Sequence, residues 1–212
     1  MLGKIKKLVT SLFNPLALFL IRLGITPNYI TILGLFLSAL SAIFILGGHL
    51  DVLFHISEST RLVTAAVLLL FSGFCDLLDG LVARLGSMET PFGGFFDSVL
   101  DRYSEVFFIT ALICAGYCSI LWGLLALSGS LLVSYARAKC EVAGLPGVGV
   151  GIAERPERLL ILGGATFMQG FFYPGKLAFA PYIIEAAVII VAVLSHITVL
   201  QRGYYAWTSL RK

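Results

Sequence analysis

Charged residues are scarce in this chain. Asp, Glu, Lys and Arg together make up 13% of its 212 residues, which is about half their share in an ordinary soluble domain. Hydrophobic residues make up 58% of the chain, and the mean hydropathy is +0.96. This composition argues against a soluble globular domain and favours a protein that lies in a membrane.

Other features are also missing. The four cysteines form no CxxC pair, which argues against a zinc site and a disulfide framework. Cys114 and Cys118 are spaced i, i+4 within a predicted span, as expected for small residues that face lipid or a neighbouring helix. The N-terminus lacks an apolar core followed by a small-residue cleavage site, so it does not resemble a signal peptide. No tandem repeat, low-complexity segment or second domain is visible.

Long apolar runs are what the sequence has instead. A bilayer core of ~30 Å requires ~20 mostly apolar residues per helix. The uncharged stretch 106–136 is long enough for parts of two helices, with a turn at residues 116–119. The sequence predicts an all-α integral membrane protein with six transmembrane helices, near residues 29–48, 62–85, 94–116, 120–141, 154–173 and 181–203.

The first 24 residues are predicted to form an amphipathic helix at the membrane interface. Lys4, Lys6 and Lys7 would face lipid headgroups while Leu, Ile and Phe side chains dip inward. The alternative is a transmembrane helix from about residue 11, which the Asn14-Pro15 pair and Arg22 disfavour. The chain 1–212 is thus expected to be a single membrane domain, with an interfacial helix at 1–24 and a six-helix core at 25–203.

Basic residues set the expected orientation. Six spans put both termini on one side, and the opposite side receives only Arg61 and Lys176. This asymmetry predicts that both termini and the functional face are cytoplasmic, in the cell membrane. The net charge of +3 therefore indicates contact with anionic headgroups rather than with nucleic acid. The basic residues on the predicted cytoplasmic side are Lys4, Lys6, Lys7, Arg22, Arg84, Arg102, Arg137, Lys139, Arg155, Arg158, Arg202, Arg211 and Lys212.

Four aspartates interrupt this apolar pattern in CDLLDGLVARLGSMETPFGGFFDSVLDR, residues 75–102. Asp76 and Asp79 are three residues apart and Asp97 and Asp101 are four apart, so each pair shares a helix face. The first pair lies near the cytoplasmic end of the second span and the other near the start of the third. Antiparallel neighbours would bring all four carboxylates to one depth and into one cavity.

Carboxylates near hydrocarbon need a counter-charge. Mg²⁺ or Mn²⁺ accepts oxygen ligands and keeps positions open for phosphate, and four carboxylates suit two ions that bridge a pyrophosphate. Gly80 and Gly93 would let a ligand approach the backbone, and Arg84 lies one turn beyond Gly80, within reach of a phosphate. The alternatives are a solvated loop with chance aspartates, or a cation or proton pathway in a transporter.

A second group of charged residues is basic. Its members end or begin predicted spans on the cytoplasmic side and would surround the mouth of the cavity. Such a cluster suits a phosphorylated acceptor, because Arg binds phosphate through a planar fork of donors. Taken singly, each residue is also explained as a positive-inside anchor. These residues are Arg137, Lys139, Arg155, Arg158 and Arg202.

The aspartate segment resembles the signature of the CDP-alcohol phosphatidyltransferases. The resemblance implies a six-helix membrane enzyme, usually a homodimer, that displaces CMP from a CDP-linked lipid with the hydroxyl of a small alcohol. It also implies that Asp76, Asp79 and Asp97 are metal ligands, that Asp101 is both a ligand and the general base, and that Gly80 and Arg84 hold the CDP group. The matching positions run Asp76-x2-Asp79-Gly80-x2-Ala83-Arg84-x8-Gly93-x3-Asp97-x3-Asp101.

The segment TPNYIT, residues 26–31, is similar to the family's cytidine-site segment. The resemblance implies that Asn28, Tyr29, Ile30 and Thr31 line the nucleotide pocket, together with Thr90 in the loop between the aspartate pairs. On physical grounds alone, Asn28 is equally well explained as a plain N-cap of the first span.

Similarity to one branch, the phosphatidylinositol-phosphate synthases, extends from TPNYIT through IAERPERL to VLQR. It implies inositol 1-phosphate as the acceptor, with glycerol 3-phosphate, as in phosphatidylglycerophosphate synthesis, as the alternative. The chain departs from this branch in SYARAKCE, where Arg and Lys are interchanged, and in a longer connection at residues 49–62. The apolar spans do not distinguish a diacylglycerol lipid from an isoprenoid ether lipid.

Overall fold

A computed structural model gives the fold, and it describes residues 2–47, 56–145, 151–172 and 180–211. Within these ranges the chain is all-helical. Part of the predicted far-side connection, residues 49–55, lies outside the described residues, as does Lys176. The seven α-helices are α1 (Leu2–Arg22), α2 (Pro27–Leu46), α3 (Glu58–Leu85), α4 (Pro91–Cys114), α5 (Ile120–Val142), α6 (Arg155–Phe172) and α7 (Ile183–Leu210), and a 3₁₀ turn, Ala180–Tyr182, precedes α7.

Helix ends follow local chemistry. Pro27 and Pro91 each occupy the first turn of a helix, where their lack of an N–H costs nothing. The alternative explanation of Asn28 as the N-cap of α2 is wrong, since the helix already begins at Pro27 and Thr26 takes the capping position. Thr90 caps α4, and its hydroxyl accepts a hydrogen bond from the backbone N–H of Gly93 at 2.9 Å.

The predicted turn at residues 116–119 is present between α4 and α5. Gly116 adopts a φ of +72°, a left-handed conformation that favours glycine. Cys114 is the last residue of α4 and Cys118 lies in this connection, so the expectation that both lie within one span is wrong. All four cysteines are free.

Among the described residues, four helices are long and apolar enough to cross a membrane: α2, α3, α5 and α7. The other two predicted spans fall on α4 and α6. Asp97, Asp101 and Glu105 interrupt α4, and α6 begins with a charged turn. These charged residues distinguish α4 and α6 from the four helices that have the length and composition of a membrane span. The structure thus supports an all-helical membrane protein, and the count of six spans stays a prediction.

Helix α3 occupies the centre of the bundle and packs against α1, α2 and α6. Close approach between helices depends on small residues and on hydroxyl groups that bond to a neighbouring backbone. A Cβ added at Gly34 of α2 would lie 3.1 Å from the Cβ of Cys75. Ser41 of α2 donates to the carbonyl of Ala65 at 2.6 Å, and Ser38 donates to the carbonyl of Ser104 at 3.1 Å. These contacts fix α2, α3 and α4 side by side, which brings the two aspartate pairs together.

Candidate active site

Three of the four predicted aspartates converge at one point. Asp76 of α3 and Asp97 and Asp101 of α4 each offer a carboxylate oxygen, and these oxygens lie within 4.8 Å of one another. One oxygen of Asp97, Oδ1, is buried without a hydrogen-bond partner. A buried acceptor that lacks a donor and lies among other carboxylates fits a hard divalent cation, which prefers oxygen ligands. We call these three residues the carboxylate cluster.

Asp79 lies beside the carboxylate cluster but faces α2. It is 5% exposed, and its Oδ2 accepts a hydrogen bond from the hydroxyl of Thr31 at 2.7 Å. Residues three apart on a helix point about 60° away from each other, so Asp76 and Asp79 share a face without sharing every neighbour. The predicted convergence of four carboxylates on one cavity is therefore confirmed, since all four line the same cavity. Three of them form the close cluster, and Asp79 is hydrogen-bonded at its edge.

A cavity of about 380 Å³ opens on one side of the carboxylate cluster, between α2, α3 and the start of α4. We call it the nucleotide-side cavity. Glycine is needed in its wall because a Cβ at Gly93 would lie 3.0 Å from the hydroxyl of Thr90. The predicted CDP-lipid residues in this wall are Asn28, Thr31, Gly80, Ala83, Arg84, Thr90 and Gly93.

Two residues predicted for the nucleotide pocket do not line this cavity. Ile30 is 5% exposed and belongs to the apolar cluster between α1, α2 and α3. Tyr29 is 66% exposed. The helical period explains the difference, because Asn28 and Thr31 share one face of α2 while the two residues between them point elsewhere.

A second and larger cavity, of about 920 Å³, opens on the other side of the same cluster. We call it the acceptor-side cavity. Asp76, Asp97 and Asp101 line it, as do Arg137 and Arg155 from the predicted basic group. Arg137 forms an exposed ion pair with Glu141, at 3.0 Å. Both cavities therefore meet at the carboxylates.

Arg155, the first residue of α6, contacts the carboxylate cluster directly. Its Nη1 lies 2.9 Å from Oδ1 of Asp76 and 2.7 Å from Oδ1 of Asp101. The Arg155 side chain is 12% exposed. A guanidinium in this position supplies positive charge between carboxylates that would otherwise repel each other.

The other three predicted basic residues do not line the acceptor-side cavity, which corrects the expectation that all five face its mouth. Arg158 is 2% exposed and pairs with Glu105. Arg202 is also 2% exposed; it donates to the carbonyl of Val133 at 2.6 Å and to Glu154 at 3.2 Å. Lys139 is exposed, with its Nζ 5.6 Å from the centre of the Tyr135 ring. A buried guanidinium requires a carboxylate or carbonyl partner, and these partners orient the side chains inward.

Sequence reasoning missed Glu105. It follows Asp101 by four residues, so Asp97, Asp101 and Glu105 form one acidic face along α4. That spacing is a usable signal in the sequence. Arg102 is predicted only as a topological charge; in the structure it lies in the wall of the acceptor-side cavity, 3.5 Å from Oδ2 of Asp101.

In a helical membrane protein, a half-buried carboxylate cluster between two cavities fits the class of proteins that handles cation-bound phosphate groups. The chain belongs to the CDP-alcohol phosphatidyltransferase family, which it matches over residues 24–197. It is therefore a transferase of phospholipid biosynthesis that acts on a CDP-linked lipid. The sequence-based family prediction is confirmed.

Relatives are similar along nearly the whole chain. An archaetidylinositol phosphate synthase of Methanothermobacter thermautotrophicus is 35% identical over 211 residues, covering 100% of this chain and 96% of the relative. The crystal structure of Mycobacterium tuberculosis phosphatidylinositol phosphate synthase with CDP-DAG bound matches with a TM-score of 0.75 at 30% identity, covering 93% of this chain and 94% of that one. The same enzyme in complex with manganese and citrate matches with a TM-score of 0.73 at 30% identity, over 92% of this chain and 88% of that one.

Proposed function

We propose that this chain transfers the phospholipid group of a CDP-linked lipid to inositol 1-phosphate and releases CMP. The observation that carries the proposal is the arrangement of two cavities on one carboxylate cluster, with Arg155 beside Asp101 on the acceptor side. The relatives named as archaetidylinositol and phosphatidylinositol phosphate synthases support this acceptor. The lipid is either diacylglycerol or its isoprenoid ether counterpart, and the product is phosphatidylinositol phosphate or its archaeal analogue.

The nucleotide-side cavity is proposed to hold the CDP group. Arg84 is in reach of the pyrophosphate, and the small residues Gly80, Ala83 and Gly93 leave room for it against the helix backbones. Asn28 and Thr31 offer polar groups to the nucleotide from α2. The solved relative that carries CDP-DAG supports a site of this kind in the fold. Tyr29 and Ile30 are left out of the proposal because they do not face this cavity.

Asp76, Asp79, Asp97 and Asp101 are proposed to hold Mg²⁺ or Mn²⁺, with two ions favoured by the number of carboxylates. The unpartnered oxygen of Asp97 and the grouped carboxylates support this assignment. When bound, the divalent ions would neutralise the pyrophosphate and improve CMP as a leaving group. The relative in complex with manganese supports the choice of cation.

Asp101 is the proposed general base. It lines the acceptor-side cavity and pairs with Arg155, so it can take the proton from the acceptor hydroxyl while the oxygen of that hydroxyl attacks the lipid-bearing phosphorus. The P–O bond to CMP breaks as the new P–O bond forms. Arg155 is proposed to hold the acceptor phosphate, with Arg137 and Arg102 adding positive charge in the cavity wall. Orientation and charge stabilisation supply most of the rate.

In the membrane, we propose that α2 to α7 form six spans and that α1 lies at the interface. Charge asymmetry favours cytoplasmic termini and a cytoplasmic active site. The site must then open to lipid as well as to cytoplasm, since one substrate carries hydrocarbon chains and the other is soluble. Residues 1–212 would form one domain that works as a homodimer, as is usual in the family.

An acceptor panel tests the proposal. Purified protein is incubated with CDP-diacylglycerol or CDP-archaeol, Mg²⁺, and inositol 1-phosphate, glycerol 3-phosphate, inositol or no acceptor. We expect CMP release that depends on Mg²⁺ and is fastest with inositol 1-phosphate. A preference for glycerol 3-phosphate would overturn the proposed acceptor but not the class of enzyme.

A further inference from the structure

Two arginine–carboxylate pairs join α4 to the start of α6. Asp101 pairs with Arg155 at 2.7 Å, and Glu105 pairs with Arg158 at 2.5 Å. Asp101 and Glu105 lie four residues apart on α4, while the two arginines lie three apart on α6, so the pairs follow each other by about one helical turn. The first pair contacts the carboxylate cluster and the second lies deeper in the protein.

All three nitrogens of the Arg158 guanidinium are satisfied by protein groups, whereas Oε2 of Glu105 is buried without a hydrogen-bond partner. Both Nε and Nη2 of Arg158 donate to Oε1 of Glu105, at 3.1 and 2.5 Å. The remaining terminal nitrogen, Nη1, donates to the carbonyl of Ala153 at 2.9 Å. Arg158 lines neither of the two cavities. A side chain that is 2% exposed and already bonded in this way is not available to bind a soluble phosphate.

The backbone carbonyl that accepts from Arg158 belongs to Ala153, which lies two residues before Arg155. Ala153 is fully buried, and its N–H donates to the hydroxyl of Thr198 on α7 at 3.1 Å. The N–H of Arg158 donates to the carbonyl of Glu154 at 3.2 Å. The Arg158 side chain thus holds the carbonyl of Ala153, two residues before Arg155, while Glu154 is held by the backbone N–H of Arg158 and by Arg202.

We infer that Glu105 and Arg158 act as a positioning pair that holds Arg155 against Asp101 in the acceptor-side cavity. Removal of the Glu105 charge would leave a buried guanidinium without its partner, and Arg158 would reorient and release Ala153. Arg155 would then lose its place beside Asp101. The part of the inference that concerns acceptor binding rests on the proposed function; the part that concerns the position of Arg155 does not.

Kinetics with Glu105→Gln and Arg158→Gln test the pair. We expect each variant to raise the KM for inositol 1-phosphate by roughly tenfold, as for loss of one charge-assisted contact, with the CDP-lipid KM changed less than about twofold. Glu105→Asp, which keeps the charge, should bring the acceptor KM back toward the wild-type value. Glu58→Gln is a matched control, because it makes the same change at a carboxylate that accepts from Tyr117 at 2.9 Å, near the other end of α3.

A double-mutant cycle separates a positioning role from other roles. If the pair acts through Arg155, introducing Glu105→Gln into an Arg155→Gln variant should raise the acceptor KM by less than about twofold. Full additivity overturns the inference, and so does a pair of variants that lose thermal stability with an unchanged acceptor KM. A raised acceptor KM in Arg158→Gln but not in Glu105→Gln would mean that Arg158 binds the acceptor itself, which also overturns it.

A crystal structure of the Glu105→Gln variant gives a readout that does not depend on the acceptor. We expect Arg155 to leave both Asp76 and Asp101. If Arg155 keeps both contacts, the positioning role is wrong whatever the acceptor proves to be. If wild-type protein fails to use inositol 1-phosphate while Arg155 moves in the variant, the proposed function fails and the positioning role stands.

Discussion

The two sides of the carboxylate cluster differ in how the chain builds them. The wall of the nucleotide-side cavity comes from α2, α3 and the first turn of α4, and it consists of small and polar residues with Arg84 as its only predicted cation. The wall of the acceptor-side cavity draws on α3 to α6 and contains several arginines and glutamates. Asp79, Gly80, Arg84 and Asp97 line both cavities; α2 completes the nucleotide side, and α5 and α6 complete the acceptor side.

This difference explains what the sequence could predict. Spacing within one or two adjoining helices fixes which residues share a face, so the positions from Asp76 to Asp101 could be assigned to one site from the sequence alone. The acceptor side was predicted from topology, which tells on which side of the membrane a basic residue lies but not which carboxylate it meets. Arg137 and Arg155 line the cavity, while Arg158 and Arg202 are buried and pair with Glu105 and Glu154.

The largest expected loss of activity comes from changes that affect both cavities at once. Asp76→Ala, Asp97→Ala, or excess chelator with wild-type protein should reduce CMP release to background, because both substrates depend on charge held at the shared carboxylates. CMP release from CDP-lipid is the measurement, and added Mg²⁺ or Mn²⁺ should restore the chelated wild type only. Activity that survives excess chelator would remove the metal-centred account.

Asp101→Asn should give the second-largest loss of activity. Loss of a general base lowers the rate by ~10²–10⁴, while the shape of the side chain and the nucleotide-side cavity are kept. We expect turnover to fall and CDP-lipid binding to persist, measured by CMP release and by binding of a labelled CDP-lipid. Near-normal turnover would exclude Asp101 as the base.

Arg155→Gln should sharpen the comparison between the two sides. The loss of a charge-assisted phosphate contact, worth about 1.5–3 kcal/mol, should raise the acceptor KM by roughly tenfold to a hundredfold and leave the CDP-lipid KM nearly unchanged. Lys139→Gln is the control, since this exposed residue lies outside the cavity wall. Equal changes in both KM values would contradict the division of roles.

Thr31→Val should give the smallest effect, and on the opposite side. It removes the donor to Asp79 and leaves a buried carboxylate with one bond fewer. We expect the Mg²⁺ concentration for half-maximal rate to rise by about fivefold, given a typical hydrogen-bond contribution of ~1 kcal/mol, with the acceptor KM unchanged. Thr31→Ser keeps the hydroxyl and should resemble the wild type; the same shift in Thr31→Ser would point to packing rather than to the hydrogen bond.

Much of the fold was also within reach of the sequence. The end of α3 at Leu85, the turn at residues 116–119 and the start of α4 after Thr90 follow from Gly, Pro and capping residues. Partner choice in the interior was not within reach, because the Glu105–Arg158 pair and the bond from Arg202 to Val133 depend on how α4, α5, α6 and α7 meet. Tyr29 and Ile30 show the same limit within one helix. The resemblance implied that the whole segment lines the nucleotide pocket, but helix geometry turns these two residues away from the cavity.

A crystal structure of the Asp101→Asn variant with CDP-lipid, Mn²⁺ and inositol 1-phosphate tests the central claim most directly. We predict cytidine and pyrophosphate in the nucleotide-side cavity near Asn28 and Arg84, Mn²⁺ on the carboxylate cluster, and the acceptor phosphate within hydrogen-bond distance of Arg155. A nucleotide in the larger cavity, or an acceptor phosphate bound away from Arg155, would contradict the two-sided site.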